Sequence, residues 1–229
     1  MSQVLGIPKG QGVPYGKRKL EVLRSAAILF NERGFHNTTM DDIAARLNVT
    51  KPALYYYAKS KDELLYEIGS IALDNAKELL DRIESSNGAG IEKLKQFFLG
   101  WTQAICGEFG RCLVLTKPES LESGSRKKSK LNRREIQMRV ECIFREGLKD
   151  NSIGHTVSYS VEDSVDSVDA RMATMALFDL HNGIAYWFEP GSVQQGKLPA
   201  TKIAEYYWKL FASGLNNYSN ERQVEYPVI

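Results

Sequence analysis

The chain has 229 residues, of which 43% are hydrophobic and 25% charged, and its formal net charge is +2. This composition is that of an ordinary globular protein, and the length suits one large domain or two unequal ones. No apolar run approaches the roughly 18 residues that a bilayer span requires, and residues 1–12 lack the layout of a signal peptide. We therefore expect a cytoplasmic protein that does not associate with a membrane.

The charge is unevenly distributed along the chain. Residues 1–65 contain ten Lys or Arg and six Asp or Glu, a net charge of +4, which leaves twenty basic and twenty-two acidic residues, a net charge of −2, for the remainder. A basic end on an otherwise slightly acidic protein favours a polyanionic partner for that end. Charge alone is weak support, since solvated basic faces are common.

The first predicted elements are an arm and a helix. Residues 1–16 contain four glycines and two prolines without hydrophobic periodicity, which predicts a flexible arm. A helix is predicted over Lys17–Arg33, and Gly34 supplies a left-handed cap at its end. Its apolar stripe consists of Leu20, Leu23, Ala27 and Phe30.

Two short helices separated by a tight turn come next. Thr39 can cap the helix Met40–Leu47 in a capping box. After a break at Asn48–Val49, Thr50 can cap a second helix that carries Pro52 in its first turn, where a missing N–H costs little. This arrangement predicts a helix-turn-helix, and the alternative is a small helical hairpin that binds nothing.

The second of these helices has an outward surface suited to DNA. Leu54 and Ala58 lie four residues apart and can face the core, so the three adjacent tyrosines at 55–57 cannot all be buried. A phenol can donate to a phosphate, and its ring can pack on a sugar or a thymine methyl group. Positive charge beside the tyrosines comes from Lys51, Lys59 and Lys61.

The stretch from about Lys19 to Leu65 resembles the tetracycline-repressor (TetR/AcrR) family of bacterial transcription regulators. The shared pieces, in order, are Phe-x-x-x-Gly-Phe, Thr-Thr, Ile-Ala, Leu-Tyr-Tyr-Tyr and Lys-Ser-Lys-Asp-Glu-Leu. Ala58 departs from the pattern, since most members carry Phe or Val there. The resemblance implies an all-α fold, with an N-terminal three-helix helix-turn-helix domain and a larger C-terminal helical domain for effector binding and dimerisation.

The resemblance also implies which residues approach double-stranded operator DNA. Among them, we expect Lys51, Ala53 and Tyr55 to reach base edges. Mainly phosphate contacts are expected for Thr39, Tyr56, Tyr57 and Lys61. The full set is Thr38, Thr39, Thr50, Lys51, Ala53, Tyr55, Tyr56, Tyr57 and Lys61.

A long helix connects the two predicted domains. The apolar residues between Asp62 and about Ser85 recur at helical spacing. Because the helix is continuous, it can transmit a displacement to the DNA-reading end as a nearly rigid lever. The predicted boundaries are residues 17–65 for the DNA-binding domain, 66–218 for the effector and dimerisation domain, and 219–229 for a tail.

The C-terminal domain contains a wide aromatic helix, predicted from Ile91 to about Phe109. Its rings either form core or line a ligand cavity, and the sequence does not separate these two interpretations. The candidate cavity residues, including some from later helices, are Phe97, Phe98, Trp101, Ile105, Phe109, Val140, Phe144 and Phe178.

A run of cations follows the predicted loop 118–125, at the start of another helix. The helix macrodipole favours anions at that position, so the run is either solvated surface or a receptor for an anionic ligand. Its members are Arg126, Lys127, Lys128, Lys130, Arg133 and Arg134. The predicted effector is therefore mostly apolar with an anionic end. The turn at 187–191 and the pattern over 202–214 resemble members that respond to acyl-CoA thioesters or related catabolic intermediates.

The last predicted elements are a loop over Asn151–Asp169 and two helices over Ala170–Phe188 and Ala200–Tyr218. The final helix is apolar most of the way round, so it must be covered on more than one side. A second copy of the chain can cover one of them, which predicts a homodimer. The proposed interface residues are Tyr207, Leu210, Phe211 and Leu215.

These patterns predict a ligand-responsive repressor that a small effector releases from a palindromic operator. An enzyme is the main rival, but the chain contains no GxSxG elbow, phosphate-binding glycine loop or HExxH motif, and Cys106, Cys112 and Cys142 lack metal-site spacing. No catalytic residue, metal site or cofactor is therefore predicted. A second rival is a DNA-binding protein without sequence preference, which would protect no single site in a footprint.

Overall fold

The computed structural model describes residues 15–154, 165–190 and 196–217, and within these ranges the chain forms helices and connecting turns with no strand. The all-α prediction is confirmed. The helices are α1 Tyr15–Arg33, α2 Met40–Arg46, α3 Lys51–Tyr55, α4 Lys61–Glu84, α5 Gly90–Cys106, α6 Glu108–Leu115, α7 Ser123–Lys149, α8 Val165–Trp187 and α9 Ala200–Asn217. A 3₁₀ turn covers Pro118–Ser120. Tyr15 and Gly16 of the predicted arm belong to α1. The rest of the predicted arm and the predicted tail lie outside the described residues.

Local sequence signals set the ends of the first helices. Gly34 ends α1 with a φ of 83°, a left-handed conformation that glycine adopts at little cost. The hydroxyl of Thr39 accepts from the backbone N–H of Asp42, whose carboxylate accepts from the N–H of Thr39, so the predicted capping box is present. Asn48, with a φ of 51°, makes the tight turn between α2 and α3.

The N-terminal core packs α2 and α3 against α1 and the first half of α4. Leu54 and Ala58 are buried, as predicted from their spacing. Leu20 was predicted in the buried stripe of α1, but it is 39% exposed. It lies at the edge of the buried face of α1, which contains Leu23, Ala27 and Phe30. The helical periodicity therefore predicted a buried face that extends too far on one side.

The C-terminal core surrounds α5, which contacts α4, α6, α7, α8 and α9. Phe98 is fully buried at its centre, with ring centroids of Trp208 and Phe211 at 5.4 and 5.6 Å. Phe109 is partly buried and packs against both cores, so it joins the two halves of the molecule.

The predicted single helix over residues 91–109 is wrong, because the chain breaks at Gly107, which is extended. The first turn of α6 comes so close to the end of α5 that a Cβ atom on Gly110 would lie 2.2 Å from the carbonyl oxygen of Ala104. Only glycine permits this approach. The break redirects α6 so that it packs against α1 and α4.

The predicted loop over 151–169 is also too long, since α8 begins at Val165. Residues 155–164 lie outside the described residues. At the other end of the domain, the backbone N–H of Gly154 donates to the carbonyl of Leu215, which ties the end of α9 to the turn after α7.

Among the described residues, no helix combines the length and apolarity needed to cross a membrane.

His181 lies fully buried in the C-terminal core. Its Nδ1 lies 2.6 Å from the carbonyl oxygen of Leu177, and its Nε2 lies 3.0 Å from the hydroxyl of Thr102 and 3.2 Å from the carbonyl oxygen of Phe98. Burial lowers the pKa of the imidazole, since it penalises the charged form.

This burial predicts a loss of stability in mild acid. Above a pH of about 6.5 the imidazole is neutral in both states, but below it the unfolded chain binds a proton that the folded protein excludes. The free energy of unfolding should therefore fall as the pH falls from about 6.5 towards the lowered pKa, by at most about 1.4 kcal/mol per pH unit from this group. Urea denaturation between pH 7.5 and 5.5 measures the slope.

The variant His181→Gln should reduce the slope, because it removes the buried imidazole. Equal slopes for the His181→Gln variant and the wild type would show that His181 does not cause the pH dependence.

Candidate DNA-binding surface and effector cavity

Helix α3 presents a polar and aromatic surface to solvent. Leu54 fixes its orientation by inserting into the core, which leaves Lys51, Ala53 and Tyr55 exposed together with Tyr56. Tyr57 is half-buried, and its ring meets that of Tyr56 edge to face at 5.2 Å. The structure thus brings together the three residues predicted to read bases, on a helix that Thr50 caps through the backbone N–H of Ala53.

Lys51 is paired within the protein, with its ammonium 2.9 Å from the carboxylate of Asp41 on α2. The hydrogen bond to Asp41 raises the pKa of Lys51, which stays charged at neutral pH. Surface ion pairs of this kind contribute little to stability, so the lysine can exchange this partner for another anion.

Two of the nine predicted contact residues support the turn before α2. Thr38 is fully buried, and its hydroxyl donates to the carbonyl oxygen of Gly34 at 2.9 Å. This corrects the expectation that Thr38 approaches the operator, because a buried side chain offers no surface to DNA. Thr39 is exposed, but its hydroxyl belongs to the capping box of α2.

Lys61 also has a role inside the protein that its sequence position did not reveal. Its ammonium donates to the carbonyl oxygens of Phe35 at 2.7 Å, Thr38 at 2.9 Å and His36 at 3.4 Å. It also lies 4.4 Å from the centre of the Phe35 ring. Lys61 therefore connects the start of α4 to the turn before α2. The N–H groups of its ammonium point into the protein.

A cavity of about 260 Å³ lies in the C-terminal domain between α4, α5, α6, α7 and α8. Its wall is mostly apolar, with a few polar side chains, and it reaches solvent beside exposed residues of α8. The lining residues are Leu73, Trp101, Leu113, Val114, Arg133, Ile136, Gln137, Met175, Phe178, Asp179 and Asn182.

Of the eight candidate cavity residues, Trp101 and Phe178 line this cavity. The others have their side chains in the core around it, and all but the half-buried Phe109 are almost completely buried. These six are Phe97, Phe98, Ile105, Phe109, Val140 and Phe144. The six cations at the start of α7 also differ in their positions relative to the cavity. Arg133 lines the cavity, whereas Arg126 donates to the carbonyl oxygens of Glu119 and Leu121.

The remaining four cations of the run are exposed and do not line the cavity: Lys127, Lys128, Lys130 and Arg134. They therefore do not stand at the cavity as the sequence suggested.

Helices α8 and α9 expose several large apolar side chains. The exposed fractions reach 68% for Tyr186 and 63% for Tyr206, and the ring of Trp187 stacks on that of Tyr207 with centroids 6.3 Å apart. The large exposed side chains are Met172, Met175, Tyr186, Trp187, Tyr206 and Leu210. We call this set the α8–α9 face.

The four predicted interface residues lie differently on α9. Leu210 is 57% exposed on the α8–α9 face, and Tyr207 is half-buried beside it. Phe211 packs its ring against those of Phe98 and Phe144, and Leu215 is buried in the core of its own protomer. Leu215 thus has little surface left for a partner.

Comparison with known families identifies both halves of the chain. Residues 22–68 match the family described as "Bacterial regulatory proteins, tetR family", and residues 87–215 match the "Tetracyclin repressor-like, C-terminal domain". The chain belongs to the tetR family. It is therefore a member of a family of bacterial transcriptional regulators.

Curated relatives of this tetR-family regulator match its N-terminal part. IcaR of Staphylococcus aureus (strain Newman), a negative regulator of the biofilm operon icaADBC, is 30% identical over 79 residues, which cover 34% of this chain and 42% of IcaR. FasR of Mycolicibacterium smegmatis, a transcriptional activator, is 37% identical over 70 residues, covering 31% and 32%. The matches therefore span less than half the length of these relatives.

Solved structures match nearly the whole fold. PfmR, a TetR-family regulator from Thermus thermophilus, has a TM-score of 0.69 at 26% identity and covers 85% of this chain and 98% of its own. The ketosteroid regulator KstR2 of Mycobacterium tuberculosis has a TM-score of 0.72 at 21% identity, covering 89% and 96%. AibR, solved with isovaleryl coenzyme A and operator DNA, has a TM-score of 0.67 at 20% identity, covering 85% and 98%.

The position of Lys61 leads to a prediction for this tetR-family regulator. Lys61→Met should lower the free energy of unfolding by about 2–3 kcal/mol, because three carbonyl groups lose a charged donor. It should weaken DNA binding through displacement of α2 and leave the salt dependence almost unchanged. A lost phosphate contact would instead reduce the slope of log K against log salt by about 0.9.

The matched control for Lys61→Met is Lys59→Met, which removes an exposed cation two residues away without touching the turn before α2. Its stability should match the wild type. A reduced salt slope with unchanged stability for Lys61→Met would show that Lys61 contacts phosphate instead.

Sequence reasoning missed the polar part of the cavity wall. Gln137, Asp179 and Asn182 are ordinary polar residues on two different helices, and nothing in their local spacing distinguishes them from surface positions. Arg133 was noticed only as one cation among six. Helix packing distinguishes it from the others, and a single sequence does not show that packing.

Proposed function

We propose that this tetR-family regulator is a repressor that binds a palindromic operator as a homodimer and leaves it when a small effector enters the cavity. The observation that carries the DNA-binding part is the outward surface of α3. A buried Leu54 holds the helix so that Lys51, Ala53 and Tyr55 face solvent together. A recognition helix in the major groove requires this arrangement.

The α8–α9 face supports the homodimer. Its methionine, leucine and aromatic side chains are too exposed to contribute to the core of one protomer, and exposed aromatic and methionine side chains are enriched in protein interfaces. Two copies related by a two-fold axis would present two α3 helices to two half-sites. The operator should therefore be palindromic.

Contacts of α6 connect the cavity wall to α1 of the N-terminal domain. Leu113 and Val114 of α6 line the cavity, and Glu108 at the start of α6 holds α1 through an ion pair with Arg24. The carbonyl oxygen of Glu108 also accepts from the side chain of Asn31 on α1, at 2.9 Å. A ligand that displaces α6 would thus shift α1 and the helices packed on it.

Filling the cavity is not sufficient for release. A ligand changes a conformational equilibrium only by its difference in affinity between the two states, and reversing a 99:1 population requires a preference of about 10⁴-fold. We therefore propose that DNA is released when the ligand moves α6 and α4, whose side chains form part of the cavity wall.

The cavity size limits the effector. An acyl-CoA, like the isovaleryl coenzyme A in the AibR complex, can place only its acyl group in 260 Å³. The likeness to AibR concerns the fold, at 20% identity. Its ligand is one candidate for this chain beside smaller catabolic intermediates.

Selection of bound sequences from a random duplex library tests the proposal. We expect one enriched motif with two-fold symmetry and half-site centres about one helical turn apart, or a multiple of it. Enrichment of no motif, with tight binding to all duplexes, would favour a DNA-binding protein without sequence preference. Binding to no duplex would contradict a DNA-binding function.

A further inference from the structure

The first turn of α4 is tied to the start of α7 by a hydrogen bond. The carboxylate of Asp62 accepts from the backbone N–H of Glu122, and the two atoms lie 2.8 Å apart. Glu122 immediately precedes α7, and the first N–H groups of a helix have no acceptor within it. The backbone of Glu122, and not its exposed side chain, makes this contact. We call it the Asp62–Glu122 bond.

The segment 117–122, which precedes α7, lies against the N-terminal domain. Leu121 is only 8% exposed and belongs to the N-terminal core. The hydroxyl of Ser120 lies 3.4 Å from Nε2 of His36, in the turn before α2. Arg126 of α7 donates to the carbonyl oxygen of Leu121 at 2.8 Å, so the segment is held to α7 as well. The start of α7 is therefore fixed next to the helix-turn-helix.

The first turn of α4 also holds the helix-turn-helix itself. Lys61, the residue before Asp62, donates to the carbonyl oxygens of Phe35 and Thr38 in the turn before α2. Lys61 and Asp62 thus connect one turn of α4 to two partners, the turn before α2 and the start of α7. A shift of this turn relative to α7 would displace α2, and with it α3, which packs against α2.

Helix α7 extends from the Asp62–Glu122 bond to the effector cavity. Arg133, Ile136 and Gln137 line the cavity wall, roughly three to four helical turns after Glu122. One continuous helix therefore connects the cavity wall to the first turn of α4. This connection is separate from the contacts between α6 and α1.

We infer that Asp62 is a positioning residue for operator binding, because the Asp62–Glu122 bond restricts the helix-turn-helix to the orientation that the operator requires. The part that concerns the operator rests on the proposed function, whereas the restriction is a property of the free protein. A dimer must present two α3 helices at a fixed spacing, so loss of the bond lowers the fraction of molecules in the competent orientation. The apparent affinity falls in proportion to that fraction.

Glu122→Pro removes the donor of this bond with little change to the backbone. Glu122 has a φ of −56°, close to the value that proline fixes, and Leu121 has a ψ of 146°, which suits the residue before a proline. The operator affinity of the full-length variant should fall about ten-fold, the effect of losing one hydrogen bond to a charged acceptor. Fluorescence anisotropy with the selected operator measures this loss.

Two further variants separate the N–H group from the charge and from proline itself. Glu122→Ala loses the same carboxylate but keeps the N–H group. Ser123→Pro places proline at the first position of α7, where proline is well tolerated. Both should bind the operator as the wild type does. The inference would be overturned if Glu122→Pro bound at least as tightly as Glu122→Ala, or if Ser123→Pro lost as much affinity as Glu122→Pro.

Substitutions of Asp62 test the other partner of the bond, and they decide alone if Glu122→Pro does not fold. Asp62→Ala should lose operator affinity, whereas Asp62→Asn keeps an oxygen acceptor and should retain most of it. Removal of an acidic charge from the DNA-binding domain would by itself strengthen binding to DNA, so a loss indicates position and not charge. Unchanged affinity in Asp62→Ala, or an equal loss in Asp62→Asn, would refute the assignment.

The double variant of Asp62→Ala and Glu122→Pro distinguishes one shared bond from two separate structural defects. It should lose no more affinity than either single variant, because both substitutions remove the same interaction. Losses that multiply would show that the two residues act independently, which contradicts the inference.

Hydrogen exchange of the free full-length protein separates this inference from the proposed function. Peptides from residues 35–66 should exchange several-fold faster in Glu122→Pro than in Glu122→Ala and Ser123→Pro, since the bond no longer opposes local opening. Faster exchange in a protein that binds no duplex would contradict the proposed function and support the restriction by Asp62. Unchanged exchange and unchanged operator affinity in Glu122→Pro would overturn the inference alone.

Discussion

Leu210→Asp on α9 is expected to produce a folded monomer that binds the operator at least about 100-fold more weakly than the wild type. Leu210 is 57% exposed, so the substitution leaves the core intact, but it places a carboxylate in the α8–α9 face. A dimer on two half-sites gains about 10²–10⁴-fold from the second, intramolecular binding event, and a monomer loses that gain. Sedimentation and fluorescence anisotropy measure the two effects.

Lys209→Asp is the matched control for Leu210→Asp. Lys209 precedes Leu210 on α9 but lines a groove towards α5 instead of the α8–α9 face. This variant should remain a dimer and keep its operator affinity. A wild-type monomer at micromolar concentration, or an undisturbed dimer for Leu210→Asp, would contradict the proposed interface.

Tyr55→Ala in α3 should reduce the preference for the operator over unrelated DNA by about 1–3 kcal/mol, the range for a lost base contact. Tyr55 is 44% exposed beside Lys51 and Ala53, so its ring is placed to reach base edges. Tyr55→Phe should keep the part of this preference that comes from the ring. Competition titrations with operator and scrambled duplexes measure the difference.

Lys59→Ala provides the control for Tyr55→Ala, since it removes an exposed charge outside α3 and should not change the preference between the two duplexes. Equal losses on operator and scrambled DNA for Tyr55→Ala would exclude Tyr55 from the residues that read the sequence.

The N-terminal half of the fold follows from local chemistry, which is why the sequence predicts it well. The Thr39 capping box and the left-handed conformations of Gly34 and Asn48 involve only residues a few positions apart in the sequence. The end of α5 depends on a contact between two helices. Gly110 matters because the carbonyl oxygen of Ala104 approaches it, and this approach is not visible in the helical periodicity.

The same distinction applies to the candidate sites. The outward position of Lys51 and Tyr55 follows from one buried leucine in a short helix, whereas the role of Lys61 depends on carbonyl groups 23 to 26 positions earlier in the chain. The sequence likewise predicted many apolar residues of the effector domain, but only the packing separates Trp101 and Phe178 on the cavity wall from Phe98 in the core.

The ratio of affinities for the selected operator and for a scrambled duplex, measured at physiological salt, tests the central claim most directly. For a sequence-specific dimeric regulator we expect a ratio of about 10³ or more, because specific complexes exceed non-specific ones by at least that factor. A ratio near one would contradict the account, since the surface of α3 would then contribute only charge.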